Sequence, residues 1–361
     1  MPVRIRQALD TLPAYAPGRT VPGAVKLASN ELSFPTLPAV ADAITAAIVD
    51  GTDTAVSGIN RYPDNGATAL LEALAEHTGA PISRLIAGCG SVALCQQLVQ
   101  TVAGDGDEVL FGWRSFEAYP IVSRITGAIP VQVPVTDGHT LDLAAMADGV
   151  TPATRLIFVC TPNNPTGTAV TTGDLEAFLD RIPDDVLVVI DEAYREFDTA
   201  PDSPDGGAIA QRRPNVLALR TLSKAYGLAG LRVGYAIGDE LVIDALRKVA
   251  IPFALNAVAQ RAAVAALGQR EQLTRRWQQV IDERLRVTEV LRGNGFEVPQ
   301  SQANFVWLPL EEGAADFAAH CEAHRVIVRA FSHPGGGGVR VTIGAPAEND
   351  QFLAAAAAFR S

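Results

Sequence analysis

A lysine stands between a hydroxyl and a guanidinium in the run Ser223-Lys224-Ala225-Tyr226-Gly227-Leu228-Ala229-Gly230-Leu231-Arg232. An amine partly removed from water and placed near a cation holds its proton weakly, and a neutral amine attacks carbonyls to form a Schiff base. Leu217, Leu219 and Leu222 read as the tail of a buried strand, which puts Lys224 at the mouth of a sheet and not on a solvated helix face. Asp191 ends the apolar run Val186-Leu187-Val188-Val189-Ile190. A carboxylate there is unfavourable unless a buried cation matches it; the plainer reading is a carboxylate capping the next helix. Tyr194, three residues on, can aim a hydroxyl at the same place.

Further along, Asn163-Asn164-Pro165-Thr166-Gly167 forces a turn that points the Asn164 amide into the sheet edge. Gly88-Cys89-Gly90-Ser91-Val92-Ala93 is a strand-to-helix junction whose N–H groups, from Gly90 through Ser91 and Val92, suit an anion. Ser223 and Arg232 would add a hydroxyl and a two-pronged cation to that anion. A dinucleotide-binding reading of the junction fails, because Ala93 replaces the third glycine and Phe111-Gly112 stands where an acidic residue is needed. Phe116, early in the helix after the next strand, is placed to stack on a ring. His320 and His324 have i,i+4 spacing with Cys321 between them, but no carboxylate completes a coordination shell, so a solvated helix face and no metal is the reading. His77, His139 and His333 receive no role.

The elements that must position these groups alternate. Apolar runs at Arg84–Cys89, Glu108–Phe111, Ile129–Val135, Arg155–Cys160, Val186–Ile190 and Val216–Leu219 are separated by helical patterns, the signature of an α/β fold. Near-continuous Val, Ile and Leu imply a mostly parallel sheet covered on both faces, with chemistry at the strands' carboxyl ends. After Asn256 the pattern turns helical, with Trp277, Ile281, Leu285, Thr288 and Leu291 recurring in one long helix that stops near Gly293-Asn294-Gly295. Asn304–Leu308, Val326–Ala330 and Val339–Ile343 read as strands of a smaller α+β lobe, with helices around Ala314–His324 and Asn349–Phe359. The first fifty residues, ending in a helix from Pro38 to Val49, are expected to lack a sheet of their own and to pack on that lobe. The expected division is a large domain of 49–264 and a small domain of 1–48 with 265–361. Gly335–Gly338 reads as a flexible loop.

At 361 residues and 48% hydrophobic content the chain can fill two lobes. Its net charge of −11, without a basic patch, argues against a nucleic-acid partner. Cys89, Cys95, Cys160 and Cys321 are scattered without CxxC spacing, and no apolar stretch has signal-peptide or membrane-spanning form. A cytoplasmic protein with no membrane association is expected.

Taken together, Ser223-Lys224-x-Tyr-x-Leu-Ala-Gly-Leu-Arg232-x-Gly, Asn163-Asn164-Pro-Thr-Gly and Asp191-Glu-Ala-Tyr194 resemble the fold-type I pyridoxal-phosphate aminotransferases, in the histidinol-phosphate and aromatic branch. Lys26-Leu-Ala-Ser-Asn30-Glu31, Arg61-Tyr62-Pro-Asp64 and Ala303-Asn304-Phe305 extend the resemblance to nearly the whole chain. It implies an α/β fold with a mostly parallel seven-stranded sheet sandwiched by helices, plus a smaller α+β domain. It implies pyridoxal 5'-phosphate on Lys224, with Asp191 on the ring nitrogen, Asn164 and Tyr194 on the ring oxygen, Phe116 against the ring, and Gly90, Ser91, Val92, Ser223 and Arg232 around the phosphate. Tyr62 would reach the phosphate of a neighbouring subunit, making a homodimer with shared active sites. Arg340 would clamp the substrate α-carboxylate, with Arg329 as a second cation and Asn30 and Asn164 also at the substrate.

Within the branch, Gly90–Gln97, Gly112–Glu117 and Ser301–Trp307 are similar to actinobacterial aromatic (phenylalanine) aminotransferases. Val92-Ala93 and Phe116-Glu117-Ala118-Tyr119 depart from the acidic pair and the Tyr/Phe-x-Met-Tyr stretch usual in histidinol-phosphate enzymes. The expected reaction is a ping-pong transamination of phenylalanine or tyrosine with a 2-oxo acid such as 2-oxoglutarate. Alternatives are a histidinol-phosphate aminotransferase, an amino-phosphate decarboxylase and a non-enzymatic regulatory domain; for the last, about thirty residues before Asn30 leave too little room for a DNA-binding module. Tyr15, Phe34, Trp113, Phe116 and Phe331 are candidates for an apolar side pocket.

Overall fold

Seven strands share one sheet in the order Leu85–Gly88, Gly234–Ile237, Val216–Thr221, Leu187–Asp191, Thr154–Cys160, Glu108–Trp113 and Ile129–Pro134. The computed structural model describes residues 19–49, 59–331 and 337–359, with positions 3, 9 and 12 besides. Among the central strands, alternate residues face two different apolar clusters. Val188, Ile190, Val216 and Ala218 join one, while Leu187, Val189, Leu217 and Leu219 join the other. Both faces are dry, which is why these strands read as unbroken apolar runs instead of alternating ones. Helices Ser91–Val102, Ala118–Thr126 and Glu240–Val249 cover one face; Thr172–Leu179 and Ala257–Leu267 contribute to the cluster on the other.

Six of the seven strands were legible as apolar runs. The seventh, Gly234–Ile237, is short, and it runs antiparallel to both neighbours, with Gly234 opposite Gly88 on one side and Thr221 on the other. Its direction matters to the site. An antiparallel strand begins where its neighbours end, so the residues just before it arrive at the same sheet edge as the loops after the parallel strands. Gly234 also lets the start of helix Ser91–Val102 press onto the strand, since a Cβ there would lie 2.4 Å from the Ser91 backbone nitrogen.

The smaller sheets differ from the expected three strands. The run Val326–Ala330 divides: Val326–Ile327 pairs in parallel with Val25–Lys26, and Arg329–Phe331 joins a three-stranded sheet with Gly338–Thr342 and Phe305–Leu308. The first fifty residues therefore do contribute a strand to a small sheet. Their helix Pro38–Val49 packs against Ala257–Leu267 and not on the C-terminal lobe, its Ala/Ile-rich surface being small enough to lie close along an equally Ala-rich helix. The boundary expected between 264 and 265 falls inside that second helix.

The long helix spans Arg270–Gly293 and buries Leu273, Val280, Ile281, Arg284, Val287 and Leu291. Leu285, expected on the inner face, is 53% exposed; the inward position one residue earlier belongs to Arg284. That guanidinium donates to the Phe197 and Ala303 carbonyls, 2.9 Å each, tying the helix to segments from two other parts of the chain. Burial pulls its pKa down to about 10. No helix among the described residues is long and apolar enough to cross a membrane. The expected glycine loop falls partly on residues 332–336, outside the described residues, as do Tyr15 and His333.

Candidate active site

Five loops after parallel strands, together with the start of the antiparallel one, open onto a cavity of about 240 Å³. Its walls include Ser91 and Val92 from the first strand's end, Phe116 and Glu117 from the second's, and Asn164, Asp191, Ser223, Lys224 and Arg232 from the rest. The small lobe adds Arg329, Phe331 and Arg340, and the segment Ala28–Ser29–Asn30 closes one side. Of the expected site residues, Gly90 caps the helix that carries Ser91, and Tyr62 stands outside this cavity. Tyr62 is 81% exposed and stacks on Phe253 with ring centroids 4.6 Å apart.

Lys224 donates from Nζ to the Ser29 carbonyl at 2.9 Å. Its amine is buried, and Arg340 and Arg232 lie near enough to oppose a third positive charge, so its pKa falls to about 7. Desolvation is the larger cause; Glu31 acts against it. At neutral pH a substantial share of this amine is uncharged and nucleophilic.

Asp191 closes its strand with a buried carboxylate. Tyr119 donates its hydroxyl to Oδ2 at 2.6 Å, and the Ala193 N–H donates to Oδ1 at 3.2 Å. Neither donor is charged. Desolvation consequently outweighs the two bonds and raises the Asp191 pKa to about 6. The Ala193 N–H bond is local, as the capping alternative expects, and Asp191 also lines the cavity.

Sequence reasoning missed Tyr119. Its ring stacks on Phe158 at 4.3 Å, and it lies on the inward stripe of Ala118–Thr126 with Val122 and Ser123. A hydroxyl at core spacing is the signal that could have found it. Phe116 sits just ahead of that helix and not within it, and meets Tyr119 edge-on at 5.5 Å.

The meeting of Ser91, Ser223 and Arg232 follows from backbone geometry. Gly90 adopts φ 80°, and an added Cβ would meet Arg232 Nη2 at 2.6 Å. Only a glycine allows both this turn and the close approach of the guanidinium. Arg232 itself adopts φ 58° and donates from Nη1 to Ser223 Oγ at 3.2 Å, so cation, hydroxyl and helix N-terminus converge.

Asn164 and Tyr194 have protein partners here. The Asn164 side-chain oxygen Oδ1 accepts from Arg340 Nη1 at 2.5 Å, and the Tyr194 hydroxyl accepts from Asn30 Nδ2 at 2.9 Å. Arg340 Nη2 also donates to the Ala28 carbonyl at 2.8 Å, while its guanidinium lies 5.5 Å from each of the Phe305 and Phe331 rings. Asn30, at φ 55°, donates its N–H to Thr342 and accepts from Asn304 Nδ2 through its carbonyl. Residues 28–30 thus stitch the small lobe to the large sheet. Of the side-pocket candidates, Phe116 and Phe331 line the cavity; Trp113 does not, and packs instead against Arg114. Phe34 is likewise absent from the walls and lies under Arg276. His320 and His324 bond backbone carbonyls, Ala355 and His320 respectively.

The chain is similar to known proteins over nearly its whole length. The chain is 56% identical over 360 residues to an aromatic amino acid aminotransferase of Mycobacteroides abscessus, covering 100% of both chains. It is 52% identical over 361 residues to the protein of that name from Streptomyces avermitilis, covering 99% of this chain and 98% of the other. In three dimensions it is similar to histidinol-phosphate aminotransferase from Sinorhizobium meliloti in complex with pyridoxal-5'-phosphate. There the TM-score is 0.87 at 27% identity, over 98% of this chain and 96% of that one. The family described as aminotransferase class I and II matches residues 22–356. This match over nearly the whole chain, with full-length relatives at 52% and 56% identity, places the protein in the class I and II aminotransferase family.

Proposed function

We propose that this aminotransferase acts on aromatic amino acids, phenylalanine or tyrosine, with a 2-oxo acid such as 2-oxoglutarate as acceptor, and that it uses pyridoxal 5'-phosphate. The observation that carries the reading is the Lys224 amine, its pKa drawn down to about 7, in a cavity shared with Asp191 and Arg340. Three features of the chain fit the cofactor. The cup at Gly90, Ser91, Val92, Ser223 and Arg232 suits its phosphate. Asp191, a buried carboxylate with only neutral donors on it, suits a cationic ring nitrogen. Phe116 offers an apolar face between them.

Bound there, the cofactor supplies an aldehyde that takes up the substrate's amino group and a cationic ring that withdraws electrons from the substrate Cα. Lys224 would hold the cofactor, and its Nζ would carry the proton taken from that carbon. Asp191 would offset the ring's positive charge, and Asn164 and Tyr194 would hold its oxygen. Arg340, held by Asn164 and Ala28, fixes the α-carboxylate and so decides which bond at Cα is aligned for cleavage. The proposed division keeps a large lobe around the seven-stranded sheet and a C-terminal small lobe, with the 264/265 boundary moved beyond helix Ala257–Leu267. Tyr62, exposed and outside its own cavity, supports a homodimer in which it completes the partner's site. Four free cysteines suit a cytoplasmic setting.

For the substrate, the full-length relatives named aromatic amino acid aminotransferase and the Phe116 and Phe331 rings in the wall favour an aromatic side chain. Half-reactions with phenylalanine, tyrosine and histidinol phosphate at equal concentration test the reading. Phenylalanine or tyrosine should convert the cofactor faster; preference for histidinol phosphate by orders of magnitude would overturn the substrate assignment.

A further inference from the structure

Arg329 and Arg340 stand directly opposite each other on antiparallel strands, so their side chains leave the same face of the small sheet. Like charges in that arrangement repel unless each has its own anion or dipole. Arg340 has the Asn164 and Ala28 oxygens. Arg329 has Glu117, whose Oε2 lies 3.1 Å from Nη2. Glu117 comes from the other lobe, in the loop after Glu108–Trp113, next to Phe116. Both members of the pair line the cavity, with 22% of the Arg329 side chain and 34% of the Glu117 side chain exposed. Phe331, on the same strand as Arg329, has its ring 5.6 Å from that guanidinium.

Two neighbouring cations give this cavity places for two carboxylates, and a side chain of the protein already fills one. An aromatic amino acid brings one carboxylate, whereas a dicarboxylic 2-oxo acid brings two. An apolar ring seated beside a guanidinium with no counter-ion would leave a desolvated charge. A second carboxylate, in contrast, competes with whatever anion is already there.

We infer that Glu117 is a specificity-determining residue: it stands in for the distal carboxylate on Arg329 when the substrate side chain is aromatic, and is displaced when a dicarboxylic 2-oxo acid binds. This rests on the proposed function and adds to it the residue that lets one cavity accept both partners of the exchange. Because the Glu117–Arg329 pair must open for the dicarboxylate, Glu117 lowers affinity for that ligand and raises it for the aromatic one.

The test compares the holoenzyme with its Glu117→Gln variant, using two non-reacting ligands in calorimetry: glutarate, with two carboxylates, and 3-phenylpropanoate, with one. Loss of a partly exposed ion pair should tighten glutarate by about threefold to tenfold, while 3-phenylpropanoate binds no tighter. Arg329→Gln, added to Glu117→Gln, should remove the glutarate gain. Unchanged glutarate binding, or equal tightening of both ligands, overturns the inference, as does a larger gain for histidinol phosphate than for glutarate, which would assign the place to a phosphate. Steady-state rates keep the two claims separate: wild-type enzyme that fails to transaminate phenylalanine refutes the functional reading. Active wild type with a ligand-indifferent variant refutes only the role of Glu117.

Discussion

Asp191→Asn should make the cofactor-free protein more stable while disabling it. Burial raises the Asp191 carboxyl from its ordinary 3.8 to about 6. At 1.36 kcal/mol per pH unit, that rise corresponds to about 3 kcal/mol. The direction follows from proton binding: between pH 3.8 and about 6 the folded chain holds this proton more tightly than the unfolded chain. Stability therefore declines as pH rises through that window and stays lowered above it. Asparagine keeps the shape and carries no charge, so the variant escapes the decline. Thermal unfolding of both cofactor-free proteins from pH 4 to pH 8 should show a small gap at the acid end. By pH 8 the variant should lead by about 3 kcal/mol, or roughly 5–10 °C for a cooperative unit of lobe size. Saturating pyridoxal phosphate should narrow the gap, because the wild-type carboxylate then faces a cation. Turnover should fall by about a hundredfold or more. A variant no more stable than wild type at pH 8, or a gap independent of pH, would refute the view that Asp191 is a strained charge awaiting its partner.

Other outcomes follow from the same geometry. With its pKa near 7, Lys224 should capture pyridoxal phosphate at a rate that climbs through neutrality and levels off by about pH 8. A rate still climbing at pH 10 marks an ordinary lysine, and Lys224→Ala should lose both the bound-cofactor absorbance and turnover. Gly234→Ala sets a methyl 2.4 Å from the Ser91 nitrogen, a backbone atom that cannot swing aside. It should destabilise the chain by about 2–3 kcal/mol in urea unfolding and weaken cofactor affinity. Gly293→Ala, where a Cβ meets nothing within 4 Å, should stay within about 1 kcal/mol of wild type. Equal behaviour of the two glycine variants would remove the close packing of helix on strand as the basis of the cup.

The side chains that gather at the cavity were legible in the chain because local order carries them. Lys224, Asp191 and Asn164 each follow or end a strand whose apolar run is visible, and a parallel sheet collects such ends at one edge by its topology alone. Ser91, Ser223 and Arg232 belong to the same class, since glycines and strand ends mark their loops. In the small lobe the helix Ala314–Ala323 and the strands Phe305–Leu308 and Gly338–Thr342 fell close to their expected places, whereas Val326–Ala330 divided between two sheets, because strand partnership is not written in a short apolar run.

What tertiary structure alone decided are the pairings between distant segments. No spacing announces that Asn30 bonds Tyr194, that Asn164 accepts from Arg340, or that Tyr119 donates to Asp191. Such bonds depend on which strands are neighbours and on the direction each runs. The antiparallel Gly234–Ile237 brings Arg232 to the cup, and the register of two small-lobe strands sets Arg329 beside Arg340. Residue types and local periodicity therefore determined the reaction's reactive groups. Long-range packing determined their charge states and partners, because desolvation and cross-lobe hydrogen bonds exist only once the chain has folded.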